Sequence, residues 1–243
     1  MRLDQVMVER GLAPSRTRAQ ALIKSGAVSV DGTAARKASA ETPPDADIQL
    51  SDDSHQYVSR AALKLLHALD FFGHDPSGKT TLDLGSSTGG FTQVLLERGV
   101  SRVYAVDVGT DQLHPSLCSD PRVISMESTH AKVLDRNLVP EPLDLIVCDV
   151  SFISVMKALP PALALADNAA HLLTLIKPQF ELGPDAIGKN GKVLTPLNEQ
   201  RAFIDETIIP FFAQLGWCAE GVTTSPILGG DGTTEFLLSA RKV

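Results

Sequence analysis

The chain has 243 residues, enough for one large domain or for a small module joined to a catalytic domain of ordinary size. Its 43% hydrophobic and 21% charged residues exclude a disordered chain, and no apolar run reaches membrane-spanning length. The net charge of −7 argues against nucleic acid when taken alone, but residues 1–37 hold Arg2, Arg10, Arg16, Arg18, Lys24, Arg36 and Lys37 against only Asp4, Glu9 and Asp31, the sign asymmetry of a nucleic-acid-binding module. The N-terminus shows no signal-peptide pattern, and Cys118, Cys148 and Cys218 are scattered in no metal-ligand spacing. A cytoplasmic protein with no membrane partner and no metal is expected.

Leu3, Val6 and Met7 recur at helical spacing up to Gly11, and Ser15 is placed to cap a second helix over residues 16–25 that Gly26 ends. Val28 and Val30 alternate before Asp31-Gly32, a two-residue hairpin signal, and another strand is expected near residues 48–50. On the second helix Ala19, Leu22 and Ile23 form the buried stripe. Arg16, Gln20 and Lys24 fall beside it within an arc of roughly 80°, which suits either a solvated face or a phosphate-contacting surface. Residues 41–56 are polar and turn-rich. The expected division is a module over 1–52, a linker over 53–60 and a larger domain over 61–243.

In the larger domain, apolar runs at 80–84, 103–106, 123–124, 143–148 and 172–176 alternate with amphipathic stretches, which predicts a doubly wound α/β sheet. Ligands in such sheets sit at the carboxyl ends of strands, which selects Asp83 and Gly85, then Asp107, Asp149 and Lys177. The loop after the first strand reads Asp83-Leu84-Gly85-Ser86-Ser87-Thr88-Gly89-Gly90-Phe91. Its glycines are expected to let backbone approach a bulky ligand. A dinucleotide loop wants Gly-x-Gly-x-x-Gly, and Asp83 would repel a pyrophosphate but suits the ammonium of a methionine moiety. The expected cofactor is S-adenosylmethionine, with Asp107 on its ribose hydroxyls and Glu127 and Ser128 near its adenine.

The segment after the fourth strand separates three classes of methyl acceptor. Amino-group methylases often carry Asp/Asn-Pro-Pro-aromatic there, whereas this chain has Asp149-Val150-Ser151-Phe152. Carbon-5 pyrimidine methylation needs a reactive cysteine, but Cys148 sits inside an apolar strand and reads as core. Hydroxyl methylation needs a base for a very weak acid and a way to steady the forming alkoxide, which paired lysines with orienting carboxylates would meet. Lys177 and Asp149 are neighbours if the sheet is as expected.

Arg2-Leu3-Asp4, Ser15-Arg16, Leu22-Ile23, Gly26-Ala27-Val28 and Val30-Asp31-Gly32 resemble the S-four-type RNA-binding module found on many RNA-modifying enzymes. That likeness implies contacts to structured RNA, with Arg2, Arg16, Arg18 and Lys24 as candidates. Residues 57–64, 83–92, 149–154, 177–181 and 235–238 resemble the TlyA family, which joins that module to an FtsJ-like ribose methyltransferase domain with a class I, Rossmann-like sheet. The resemblance implies methylation of a cytidine ribose 2′-hydroxyl in ribosomal RNA, alone or within a ribosomal subunit. It implies a tetrad on Lys64, Asp149, Lys177 and Glu235, with Lys177 taking the hydroxyl proton. Arg60, Lys189 and Lys192 are added as RNA-facing candidates, the last two from a Gly- and Lys-rich loop over 183–192.

This sequence departs from the family at Ala61-Ala62, where two glycines are usual, and at Thr233 and His130, where asparagines are usual. Two other readings stay open, a membrane-acting haemolysin and a non-catalytic RNA-binding protein. DNA is not expected as a partner, and the chain is expected to act as a monomer.

Overall fold

The computed structural model describes the chain except for Pro14, residues 25–27, 51–56 and 189–191, and Asp231, together with the side chains of Arg18, Ala21 and Lys24. The expected end of the second helix, Lys189 and the side chains of Arg18 and Lys24 therefore lie outside the described residues. Backbone contacts divide the chain into two compact units, Met1–Val58 and Ser59–Val243.

In the first unit, α1 (Leu3–Glu9) and α2 (Arg16–Lys24) precede three short strands, β1 (Val28–Val30), β2 (Thr33–Ala34) and β3 (Ile48–Leu50). The strands form an antiparallel sheet in the order β2-β1-β3, with Asp31-Gly32 as the two-residue hairpin turn closing Val30 onto Thr33. Leu3, Val6 and Met7 of α1 and Ala19, Leu22 and Ile23 of α2 meet Val28 and Ile48 in one core, so the apolar stripes on both helices are the packing faces.

The second unit is built on a seven-stranded sheet. Its strands are β4 (Thr80–Leu84), β5 (Arg102–Val106), β6 (Val123–Met126), β7 (Leu143–Cys148), β8 (Ala166–Ile176), β9 (Trp217–Thr224) and β10 (Phe236–Lys242), in the order β6-β5-β4-β7-β8-β10-β9. The first five named in that order run parallel, and β10 is antiparallel to both β8 and β9. The doubly wound α/β expectation is met. Parallel strands covered on both faces read as nearly continuous apolar runs, which is why β4, β5 and β7 are buried along almost their whole length.

Helix α3 (Ala61–Phe72) packs on α4 (Gly90–Glu97) and on β10. Four one-turn helices come next, α5 (Pro115–Cys118), α6 (Val155–Ala158), α7 (Pro160–Leu163) and α8 (Pro178–Glu181). A last helical stretch runs from α9 (Leu197–Phe203) through a π turn at Ile204–Ile208 into α10 (Ile209–Gln214). The chain leaves β4 toward β5 and β6 and then crosses to β7, so the strand order reverses between β4 and β7 and opens a crevice at their carboxyl ends.

Candidate active site

The chain enters the crevice at Gly85, whose N–H donates to the Val106 carbonyl at 2.8 Å, and turns into α4 where Gly89 N–H donates to Ser86 O at 2.8 Å. A Cβ at Gly85 would stand 2.8 Å from the Asp149 carbonyl oxygen, and the residue has φ of 85°. A Cβ at Gly90 would stand 3.0 Å from Ser59 Cβ and 3.1 Å from Ala62 N. At these positions the absent side chain admits the protein's own backbone at the end of β7 and the start of α3, where the sequence suggested room for a ligand. Of the two alanines that depart from the family, Ala62 is fully buried and Ala61 borders the smaller cavity.

Two adjoining cavities flank the loop. The larger, about 430 Å³, is lined by Gly85, Asp107, Gln112, His130, Val150 and Phe152 among others. The smaller, about 160 Å³, is lined by Ser59, Ala61, Ser86, Thr88, Asp149 and Lys177 among others, with Phe91 at its wall. Gly85, Ser87, Asp149 and Ser151 border both. At the rim of the larger cavity, Asp107 accepts from Ser87 N–H at 2.8 Å and from Gly109 N–H at 2.7 Å, which fixes its carboxylate.

Asp83 lines neither cavity. Its carboxylate is fully buried and accepts from Thr92 Oγ1 at 2.6 Å, and its Oδ1 has no hydrogen-bond partner among the described residues. Burial pushes its pKa up to about 7, with the Thr92 hydroxyl opposing and Asp149 adding to the rise. Gly89 lines neither cavity and packs against Leu117. Glu127 and Ser128 are engaged elsewhere. Glu127 accepts from the N–H groups of Asp111, Gln112 and Leu113 at 3.1, 2.6 and 3.0 Å, which lowers its pKa and pins the turn that carries Gln112. Ser128 Oγ pairs with Thr110 Oγ1 at 2.7 Å. Gln112 at the rim was missed by the sequence reading, since an irregular loop announces no inward face, and His130, singled out there only as a departure from the family, also lines this cavity. His130 Nδ1 accepts from Lys132 N–H at 3.1 Å.

Beside the smaller cavity stand four charged side chains. Lys177 comes directly after β8, and its Nζ lies 2.6 Å from Asp149 Oδ1 and 2.8 Å from Ser151 Oγ. Lys64 lies on the buried face of α3 with Leu65, Ala68 and Leu69, and its Nζ lies 2.5 Å from Glu235 Oε2. The antiparallel pairing of Phe236 with Ile176 sets Glu235 next to Lys177 at the strand ends. Glu235 also feels Asp149 and Lys177, so the two ion pairs form one electrostatic cluster. Burial raises the Glu235 pKa and Lys64 opposes the rise. Lys64, Lys177 and Glu235 are 7%, 8% and 3% exposed, so each charge depends on its partner for compensation. Ser151 joins the group unforeseen. Thr233 is buried and its carbonyl accepts from Gly229 N–H at 2.9 Å.

Cys148 is buried, and burial holds its thiol up at about 12, far from the thiolate that carbon-5 chemistry needs. Phe152, by contrast, is 90% exposed with φ of 65°, and its ring centroid lies 5.2 Å from that of Phe180. The segment carrying it is anchored by Glu181, which accepts from Ser154 Oγ at 2.6 Å and from Val155 N–H at 2.8 Å. Arg60 is exposed at the start of α3. Lys192 is exposed in a loop whose base is the Ile187–Val193 bridge.

In the first unit, Asp4 is fully buried and accepts from Arg2 Nε at 3.0 Å, Arg16 Nη2 at 3.3 Å and Gln20 Nε2 at 2.7 Å. The Arg2 guanidinium, with Gln20 and Arg16, holds this carboxyl well below the usual range. Arg2 and Gln20 border an open cavity of about 410 Å³ with Ile23, Arg36, Lys37 and Ser39. Arg36 and Lys37 had counted only toward the charge balance. Arg10 is turned onto the carbonyls of Pro44 and Ala46.

Both parts of the chain match known families. Residues 57–242 match the FtsJ-like methyltransferase family and residues 1–46 match the S4 domain. The chain is 41% identical over 241 residues to the 16S/23S rRNA (cytidine-2′-O)-methyltransferase TlyA of Mycobacterium tuberculosis, covering 99% of this chain and 89% of the relative. It is 36% identical over 238 residues to Hemolysin A of Brachyspira hyodysenteriae, covering 98% of each. Among solved structures, a candidate hemolysin from Streptococcus thermophilus superposes with a TM-score of 0.78 at 34% identity, covering 100% of this chain and 88% of that one.

Proposed function

The chain belongs to the TlyA group of FtsJ-like methyltransferases, and from that premise we propose that it transfers the methyl group of S-adenosylmethionine to a cytidine ribose 2′-hydroxyl in ribosomal RNA. The observation that carries this reading is the cluster Lys64–Glu235 and Lys177–Asp149 at the strand ends beside the glycine loop. When bound, S-adenosylmethionine supplies an electrophilic methyl on sulfur, so the protein must hold it, bring up an oxygen and take that oxygen's proton.

The residues present suit that cofactor. Asp107 has a fixed carboxylate at the rim of a cavity large enough for a nucleoside, and suits ribose hydroxyls. Ser86, Ser87 and Thr88 border the smaller cavity, which suits the amino-acid end, and the unpartnered oxygens of Asp83 and Ser86 leave polar capacity behind the loop. Lys177, held by Ser151, acts as the neutral amine, its resting proton having passed to solvent: it would accept the 2′-hydroxyl proton as the methyl carbon leaves sulfur and bonds to oxygen, and Asp149 would meet the ammonium re-formed. Lys64, fixed by Glu235, places a second cation near the developing oxyanion. Phe152 offers an exposed π face to a base. Arg2, Arg16, Arg36 and Lys37 supply phosphate contacts in an RNA-binding module over residues 1–52, linked through 53–60 to the transferase. The protein acts as a monomer in the cytoplasm. No described helix is long and apolar enough to cross a membrane.

The test is methyl incorporation from radiolabelled S-adenosylmethionine into ribosomal subunits of a strain lacking the gene, followed by mapping of 2′-O-methylation. Wild-type protein should modify a cytidine ribose, while Lys177→Ala should bind cofactor and transfer nothing. Absence of any new ribose methylation would end the proposal.

A further inference from the structure

Away from the transfer site, three side chains meet that the proposed reaction does not use. His74 comes after Gly73, the left-handed residue that ends α3; His171 lies on β8, and Glu220 lies on β9. His74 Nε2 is 3.5 Å from Glu220 Oε2, and His171 Nε2 is 3.8 Å from Glu220 Oε1. The two imidazole centroids are 4.4 Å apart. Among the described residues, this is the one group of three or more His, Cys, Asp or Glu whose ligand atoms come within 4.8 Å of one another.

The sheet register accounts for the meeting. Ser239 of β10 pairs with Leu173 of β8 and with Gly221 of β9. The β9 pairing then slips between Ser239 and Ala240, leaving Glu220 as the extra residue of a bulge. His171, two residues from Leu173, shares its face of β8. It precedes Lys177 by six residues, roughly 20 Å along the strand, so this cluster is separate from the methyl-transfer machinery.

Two imidazoles and a carboxylate form a ligand set for first-row divalent metals, and tetrahedral bonds of about 2.0–2.2 Å require ligand atoms about 3.3–3.5 Å apart. The observed separations, 3.5 and 3.8 Å to the two carboxylate oxygens and none above 4.8 Å, lie at or somewhat above that range. Burial lowers the pKa of both histidines. Lys79 acts on both rings and Arg241 on His171, and these charges oppose a cation that Glu220 attracts. Ser239, fully buried, donates to Glu220 Oε2 at 2.7 Å and so accepts from His74 Nε2 at 2.8 Å; a metal would take the place of that second contact, with the ring proton moved to Nδ1, while Ser239 keeps its hold on the carboxylate.

We propose that His74, His171 and Glu220 bind a divalent transition-metal ion of the zinc class, with its remaining positions open to water. Such an ion ties the end of α3, the helix that carries Lys64, to the antiparallel edge of the sheet. The expectation of no metal came from the cysteines, which this site does not use.

The test titrates chelator-stripped full-length protein with zinc chloride against a chromophoric chelator, and tracks thermal unfolding in parallel. One equivalent of zinc should bind and raise Tm by several degrees at saturation. His171→Gln and Glu220→Gln should each weaken binding at least tenfold. Glu220→Gln alters a partly exposed edge position and keeps an oxygen for Ser239, so its fold, checked by circular dichroism, is preserved. The proposal is overturned if wild type takes up no saturable equivalent, or if both substituted proteins bind zinc as tightly as wild type.

Discussion

Asp83 permits a quantitative test of how the cofactor loop is held. Its carboxylate is fully buried at the end of β4, with the hydroxyl and backbone of Thr92 as its hydrogen-bonding partners and a pKa near 7 in place of the ordinary 3.8. For an acid raised in this way, the folded chain holds the proton more tightly than the unfolded chain. The resulting stability is fully present below pH 3.8 and is lost as pH rises through 7. At about 1.4 kcal/mol per unit the whole effect is about 4 kcal/mol, of which about 2 kcal/mol is already lost at pH 5 and nearly all of it by pH 8. Asp83→Asn keeps an acceptor for the Thr92 hydroxyl and cannot ionise.

Urea unfolding at pH 5 and pH 8 reads the difference through Trp217, the single tryptophan, which is 1% exposed in the same unit. Between the two pH values, the stability of Asp83→Asn relative to wild type should rise by about 2–3 kcal/mol. Parallel pH profiles for the two proteins would show that the buried carboxylate is not the titrating group, and the reasoning would fail.

Lys64→Met leaves Glu235 buried without its cation, so at pH 7.5 urea unfolding should show a loss of about 3–5 kcal/mol, shrinking as the pH falls and the carboxyl takes up a proton. The double variant Lys64→Met/Glu235→Leu should recover most of that loss, and a fully stable single variant would contradict the assignment. Phe152→Ala should leave Tm nearly unchanged, because the ring is 90% exposed, and should raise KM for RNA by about 5- to 100-fold with cofactor affinity intact, as equilibrium binding and steady-state kinetics can show. Lys37→Ala should weaken RNA binding across sequences and reduce the slope of log affinity against log salt by about one, whereas an unchanged slope would remove Lys37 from the RNA surface.

The parts of the fold visible in the sequence are those where burial imposes a pattern. β7 is covered on both faces and reads as one apolar run, and the stripes of α1 and α2 are the core of the small unit. β8 begins at Ala166, before the apolar run at 172, because its first residues include the exposed Asp167, Asn168 and Ala169, and the last has φ of 62°. β9 is an edge strand interrupted by Glu220 and Gly221 at the bulge, so neither alternation nor a continuous run survives.

The same division governs the site. Asp149 and Lys177 are legible from strand ends alone, because topology puts neighbouring parallel strands side by side. Lys64 and Glu235 meet across 171 residues, and no local pattern foretells that contact. Only family likeness picked them out. Glu127 lies after the third strand as expected, and three backbone N–H groups donate to its carboxylate. Loop geometry decided its role, and loop geometry leaves no periodic trace. The glycine loop has a second reason for its pattern beside the one first assigned. Gly85 and Gly90 let β4 seat against the end of β7 and against α3, and that seating brings Asp149 and the Lys64 helix to one place. The pattern therefore specifies a packing that assembles the charged cluster, and the cofactor cavities are the space that this packing leaves open.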